Sequence, residues 1–371
     1  MLFLHNKYTG TKKMIGSKGQ EDEWFWSPDS NEGWCLSGDY RWNSIEPLMR
    51  IYRKNTPSLI PKKFARMLEH FPAKKGANIF KLLGPTYSSS IKDRLVKDAH
   101  WLNQRSSDPY FSFYRETNEW LSTLQPAVLN MPRYNSIIHN GTDIKASVYQ
   151  SEDTGLVYIR PPDYARDRSK TGRLSVVNGV RVLTMKAEYR NILRDAWQID
   201  FEAMEPRFLL SLLGKTVNGD FYDWVANQCG FKIMTRNQVK VAVLSSMYGH
   251  KNQIREVTEL LGLHVFEKAL QEEVERGWIK NWFGRPIYAG EVRGRHLVSL
   301  WLQSTCADAA LLGFKNFCVL NPSIVPHWTI HDALIYTADD STISEIPTQS
   351  SIIIEWNDKK IAMPYKIGRV E

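Results

Sequence analysis

Cysteine is scarce in this chain. Cys35, Cys229, Cys306 and Cys318 are the four in 371 residues, and no two stand at metal-ligand spacing. A disulfide-stapled scaffold and a thiolate metal centre are thereby excluded, and a reduced intracellular protein is expected. Long apolar runs are missing too. No stretch reads as the roughly 18 apolar residues that span a bilayer, so no membrane segment is predicted. Met1–Leu4 is too short an apolar run for a signal peptide, and Lys7, Lys12 and Lys13 follow it. A soluble, cytoplasmic protein is expected, in the host's cytoplasm if the chain is viral. There is neither an internal repeat nor a low-complexity linker.

What is present is a core and an excess of positive charge. Hydrophobic residues make up 43% of the chain, enough for two or three subdomains. Lys and Arg total 48 against 40 Asp and Glu, a formal charge of +8. Such a balance suits a polyanionic partner, because each neutralised phosphate releases a counterion. It equally suits a soluble protein with an offset pI.

Residues 1–60 are Trp-rich and irregular, with Trp24, Trp26, Trp34 and Trp42 among small polar residues. They read as a packed extension or a partner surface. Residues 61–125 read as helical, with Lys62, Lys63, Lys74, Lys75, Lys81, Lys92 and Lys97 around apolar periodicity, and Pro126 and Pro132 closing the segment. Strands are predicted at 156–160 and 192–201, helices over most of 207–232 and 234–280, and a long helix at 296–320. Residues 324–337 read as a strand pair turning near His331-Asp332.

The chemistry-bearing residues lie in the second half. Asp200 ends an apolar strand and Asp332 sits in the later strand-turn unit. A single Asp at a strand end is usually a turn residue. Two carboxylates brought together from distant positions can hold two magnesium ions. Arg236, Lys240, Leu244 and Tyr248 recur every four residues. On a helix each such step advances about 40°, so all four fall within roughly 120° of arc over ~18 Å. One face then offers two cations, an apolar residue and an aromatic. Lys as a point charge and Arg as a fork both suit phosphate oxygens. Glu205 follows Asp200 by five residues, and by itself reads as a helix N-terminal acid. His331-Asp332 alone could belong to a metal phosphohydrolase, but the further His and Asp ligands that enzyme needs are not found.

Taken together, Thr171-Gly172-Arg173-Leu174-Ser175, Asp200 to Glu205, the Arg236–Tyr248-Gly249 series, Gln303-Ser304-Thr305-Cys306-Ala307-Asp308 and His331-Asp332 resemble the polymerase domain of family A DNA polymerases. The resemblance covers about Thr171 to Thr337. It implies an α/β right-hand fold: an N-terminal extension and start of palm at 1–60, thumb at 61–135, palm at 136–212 and 300–371, fingers at 213–299. It also implies template-directed addition of deoxynucleotides to a primer 3′-hydroxyl. In that reading Asp200 and Asp332 are catalytic and bind two Mg²⁺ ions, with Mn²⁺ as a substitute. Arg236, Lys240, Leu244 and Tyr248 take the deoxynucleoside triphosphate, and Glu205 selects the sugar. Arg173, Gln303 and His331 hold primer-template DNA, where Arg and Gln donors read minor-groove acceptors common to all correct pairs. Gly277-Trp278-Ile279-Lys280 and Phe283-Gly284-Arg285 resemble the family's fingers segment ahead of the palm helix.

The chain departs from the family in places. Leu244 stands where many members carry Phe or Tyr, Ser304 replaces a usual Gly, and Ala333 replaces a common Glu. Val176-Val177-Asn178-Gly179-Val180 replaces an Asn- and Gln-rich stretch, and Tyr222 stands near where a histidine often helps hold the triphosphate. No Asp-x-Glu exonuclease strand is visible, so a monomer without proofreading is expected, a phage-like enzyme working with a separate exonuclease or processivity factor. A single-subunit RNA polymerase, a reverse transcriptase-like enzyme and a non-catalytic DNA-binding module remain the alternatives.

Overall fold

A computed structural model describes residues 2–6, 11–15, 35–36, 40–41, 51, 108–138, 147–250, 253–275 and 277–370. The expected lysine-bearing helices before residue 108 and most of the Trp-rich start lie outside the described residues. The chain divides into two units, Met1–Asn118 and Glu119–Glu371. In the first, strands β1 (Leu2–Asn6), β2 (Thr11–Ile15), β3 (Cys35–Leu36) and β4 (Tyr40–Arg41) form a sheet in the order β2-β1-β3-β4. Helix α1 (Pro109–Leu121) crosses the division.

The second unit is mixed α/β. It opens with β5 (Ala127–Val128), α2 (Met131–Ile138), β6 (Val148–Gln150), β7 (Val157–Ile159), β8 (Asp163–Ala165) and β9 (Ser175–Asn178). Pro132 sits inside the first turn of α2 rather than ending a helix. Its missing N–H is no loss there, because first-turn amides have no intrahelical acceptor. Val176 to Asn178, a departure noted in the sequence, pairs with β8 in a two-stranded ribbon.

The centre of the unit is a five-stranded sheet in the order β13-β14-β10-β16-β15, antiparallel throughout. Its strands are β10 (Trp197–Phe201), β13 (Val325–Ile330), β14 (Ala333–Thr337), β15 (Gln349–Trp356) and β16 (Lys359–Arg369). Ile199 is fully buried and Phe201 nearly so, whereas Asp200 between them is exposed, the period-2 alternation of a strand with one covered face. The strand expected over 192–201 begins only at Trp197. Residues 187–192 form a 3₁₀ turn, and Asp195 takes a left-handed conformation (φ 53°) that breaks the extended run.

Between β10 and β13 the chain inserts α3 (Met204–Leu212), α4 (Phe221–Cys229), α5 (Arg236–Tyr248), α6 (Arg255–Leu260), α7 (Leu263–Glu273), the hairpin β11 (Trp278–Lys280) and β12 (Pro286–Tyr288), and α8 (Arg295–Leu320). The helical run expected over 234–280 is broken at Gly249 and Gly262, both at positive φ, and ends in the hairpin.

Helix α8 corrects one expectation. Its 26 residues include an 18-residue window long and apolar enough to cross a membrane, of which 78% is buried within the fold. Leu297, Val298, Leu302, Ala309 and Phe314 are fully buried, so the helix is the core element on which the sheet rests. Phe314 stacks on Phe201 at 5.2 Å, and Phe317 packs edge-on to Tyr336 and Tyr365. A Cβ at Gly313 would lie 2.6 Å from Phe201, so glycine permits this close approach. The short helix α9 (Asp340–Glu345) is capped by Asp339, which accepts from the Thr342 N–H at 2.7 Å.

Candidate active site

Strand register decides where the two aspartates meet. Asp200 pairs with Ala333 across β10 and β14, and Ile330 pairs with Ala333 across β13 and β14. His331 and Asp332 are therefore the two-residue loop of a tight hairpin, with His331 in the left-handed region (φ 53°). The Phe201 N–H donates to the Asp332 carbonyl at 3.0 Å, which ties the hairpin tip to the end of β10. Ala203, also left-handed (φ 46°), turns the chain from β10 into α3 and sets Glu205 in the first helical turn. Such conformations are costly for non-glycine residues, and here they lie beside both carboxylates.

Helix α5 forms the opposite wall. Thr235 and Gln238 make a capping box: the Thr235 hydroxyl accepts from the Gln238 N–H at 3.4 Å, and the Gln238 side chain accepts from the Thr235 N–H at 2.7 Å. Gly249 at φ 75° closes the far end. Val239, Ala242, Val243 and Met247 bury one stripe, and the series Arg236, Lys240, Leu244 and Tyr248 lines the cleft beside it.

The cleft measures about 620 Å³. All ten residues singled out in the sequence line it: Arg173, Asp200, Glu205, Arg236, Lys240, Leu244, Tyr248, Gln303, His331 and Asp332. They come from five separate segments of the chain. Further lining residues had no assigned role in the sequence, among them Glu202, Asp220, Cys306 and Lys366. Glu202 could not be told from a turn acid; in the structure it pairs with Lys366 from β16 at 2.5 Å.

Electrostatics differ along the cleft. Burial pushes the Asp200 carboxyl up to about 7, the charge of Asp332 adds to this, and Arg190 and Lys240 pull the other way. Asp200 is open to the cleft, while the protein around its carboxyl removes enough water to oppose its charge. Glu205 accepts from Arg173 at 2.7 Å and from the Tyr248 hydroxyl at 2.5 Å. Burial, and then the Glu205 charge, raise the Tyr248 phenol above its ordinary value. Gln303 donates to Ser299 one turn back on α8. Cys306 is buried, and that burial pushes its thiol well above its usual range, the environment of a packing residue. Among the described residues, Cys229, Cys306 and Cys318 are free thiols.

A buried polar network sets these groups in place. Asp308 is fully buried and accepts from Arg166 at 2.6 Å and from Asn281 at 2.8 Å. Asn281 also donates to Ser304 and accepts from the Phe283 and Arg285 N–H groups. Arg285 donates to the Arg166 carbonyl at 2.9 Å. Gly172 lies against Arg285 so closely that a Cβ would fall 2.5 Å from its guanidinium carbon. The network joins three elements: the segment carrying Arg173, the β11–β12 hairpin and the helix carrying Gln303. The sequence displayed Asp308, Ser304 and Arg285 inside motifs, but nothing in their spacing marked them as partners.

Two carboxylates on adjacent strand ends fit divalent cations. Magnesium is commonly held by one or two carboxylates, with waters and substrate phosphates completing its shell. Among the described residues, no group of three or more His, Cys, Asp and Glu side chains forms a fuller cage.

No family model matches the chain, and no curated protein is similar to it in sequence. Among solved structures, it is similar to the POL domain of Pol1 from M. smegmatis, described in complex with DNA primer-template and dNTP. The identity is 12% and the TM-score 0.43, over 88% of this chain and 64% of that one. The chain thus spans less than two thirds of the structure it matches.

Proposed function

We propose that this chain is a template-directed DNA polymerase of the family A type, transferring a deoxynucleotide from its triphosphate to a primer 3′-hydroxyl. The supporting observation is the cleft in which a carboxylate pair on the sheet faces a cationic helix wall. In this reading 136–212 and 300–371 serve as palm, 213–299 as fingers and 61–135 as thumb. The enzyme in this reading acts as a monomer in the cytoplasm, with a separate exonuclease or processivity factor as its protein partner.

Asp200 and Asp332 would hold two Mg²⁺ ions, which when bound activate the 3′-hydroxyl and stabilise the leaving pyrophosphate; Mn²⁺ would substitute. The new bond joins the 3′-oxygen to the α-phosphorus, the α–β phosphoanhydride bond breaks, and the hydroxyl proton passes to solvent. Arg236 and Lys240, one turn apart, neutralise the triphosphate along the helix wall. Glu205, anchored by Arg173 and Tyr248, walls off the space a ribose 2′-hydroxyl would need. Leu244 packs against the incoming sugar, and Tyr248 borders the nascent pair. Arg173, Gln303 and His331 hold the primer-template.

The test is extension of a 5′-labelled primer on a DNA template with Mg²⁺, supplied with deoxy- or ribonucleotides, beside Asp332→Asn. Deoxynucleotide-dependent extension that falls at least about a thousandfold in the variant is expected, a loss of roughly 4 kcal/mol of transition-state stabilisation. Extension by ribonucleotides alone would replace the proposal with an RNA polymerase. Binding of duplex without extension would replace it with a DNA-binding module.

A further inference from the structure

Arg236 is held before any nucleotide arrives. Its Nε and Nη2 donate to Asp220 Oδ2 at 3.0 and 2.7 Å, and its guanidinium lies over the Tyr222 ring at 5.0 Å. The other Asp220 oxygen, Oδ1, caps helix α4 by accepting from the Tyr222 and Asp223 N–H groups at 2.9 and 3.0 Å. One carboxylate thus has two separate tasks, one per oxygen. The loop that carries it is fixed from below. Buried Arg207 donates to the Val217 and Gly219 carbonyls, each at 2.6 Å, and lies over the Phe221 ring. Burial pushes the Asp220 carboxyl up, but the bonds from Arg236 and the Asp223 N–H outweigh it, so the group stays ionised near neutrality.

We infer that Asp220 is a specificity-determining residue: it already pairs with Arg236 through Nε and Nη2 in the free cleft, so a ligand meets a cation whose charge is partly neutralised and gains its full attraction only by displacing that carboxylate. The inference rests on the reading of the cleft as a triphosphate site. A small anion reaching Arg236 alone exchanges one charge-assisted pair for another and gains little. A polyphosphate that spans Arg236 and Lys240 adds a second cation and so bears the displacement. Asp220 therefore discriminates against orthophosphate and other short anions.

Asp220→Asn separates this from a structural role. Asn keeps an oxygen for the helix cap, where it ranks beside Asp, and loses the charge that holds Arg236. The Asp220–Arg236 pair is partly exposed, at 24% and 50%, so its release should change binding by roughly threefold to fivefold. The variant should bind dNTP that much more tightly and lower its KM in primer extension. Inhibition by inorganic phosphate should strengthen by a larger factor than dNTP binding does, because specificity is the difference between the two affinities; an equal gain for both would overturn the inference. Asp223→Asn removes the same charge from a neighbouring residue that does not hold Arg236 through its side chain, and should leave KM as in the wild type. In an Arg236→Gln background, Asp220→Asn should change nothing.

A raised KM in Asp220→Asn would mean that the carboxylate aims Arg236 rather than withholding it, and overturns the inference. An equal effect in Asp223→Asn would reduce it to a general field, with the same result. If the wild type binds dNTP and Lys240→Ala weakens that binding while Asp220→Asn does not alter it, only this inference falls. If the wild type binds no triphosphate, the functional reading falls with it.

Discussion

Asp200 carries the sharpest physical prediction, because its folded environment opposes its charge. Burial, with the nearby charge of Asp332, raises its carboxyl from 3.8 to about 7. The difference is about 3 units, and at 1.36 kcal/mol per unit the ceiling is ~4 kcal/mol. The side chain opens onto the cleft, so solvent screening reduces this to about 1–2 kcal/mol. The sign follows from the direction of the shift. A carboxyl raised in the folded state contributes stability that is fully present below its unfolded value near 4 and is lost as pH rises through about 7. Asn cannot ionise and retains that contribution. With a chelator present, Asp200→Asn should match the wild type near pH 3.5 and exceed it by about 1–2 kcal/mol at pH 8. That corresponds to roughly 2–6 °C in Tm for a unit of this size. Adding Mg²⁺ at pH 8 should then stabilise the wild type by mass action and leave the variant unmoved. Urea or thermal denaturation across pH 3.5–8.5, with and without Mg²⁺, measures both. A variant no more stable than the wild type at pH 8 would refute the electrostatic reasoning. A wild type indifferent to Mg²⁺ would refute the assignment of the pair as a cation site.

Two further substitutions probe packing and specificity. Asp308→Ala removes one partner of a buried ion pair whose side chains are 1% and 0% exposed, and should cost about 3–5 kcal/mol in urea denaturation; a loss below ~1 kcal/mol would show that the network does not anchor the cleft. If the proposed function holds, Leu244→Phe places a ring edge toward the incoming sugar, and should raise incorporation rate or the use of chain-terminating sugars by about threefold, equivalent to ~0.7 kcal/mol. Single-turnover kinetics showing neither change would rule out contact between this position and the sugar.

The residues that line the cleft were more legible in the sequence than the fold around them. Spacing of four along Arg236, Lys240, Leu244 and Tyr248 fixes a common helix face by backbone geometry alone, and capping by Thr235 and Gly249 holds that helix in register. The alternation around His331-Asp332 announced a hairpin because strand periodicity is local. The start of β10 was missed because a left-handed Asp195 leaves no mark in hydropathy. The expectation that no stretch is long and apolar enough to span a bilayer fails at α8, because small and apolar residues suit a buried core helix as well as a bilayer.

What the sequence determined by itself is the set of local geometries: which side chains share a helix face, where strands turn, and which residues bear charge. Only the tertiary structure decided that residues from Arg173 to Asp332 open onto one cleft, that Asp200 pairs in register with the residue after Asp332, and that Glu205, Asp220 and Asp308 bond Arg173, Arg236 and Arg166. The reason is physical. Periodicity and capping act over a few residues and can be read in order. Ion pairs and desolvation act through space between distant segments, 142 positions apart in the case of Arg166 and Asp308, and exist only once the sheet and α8 have brought those segments together.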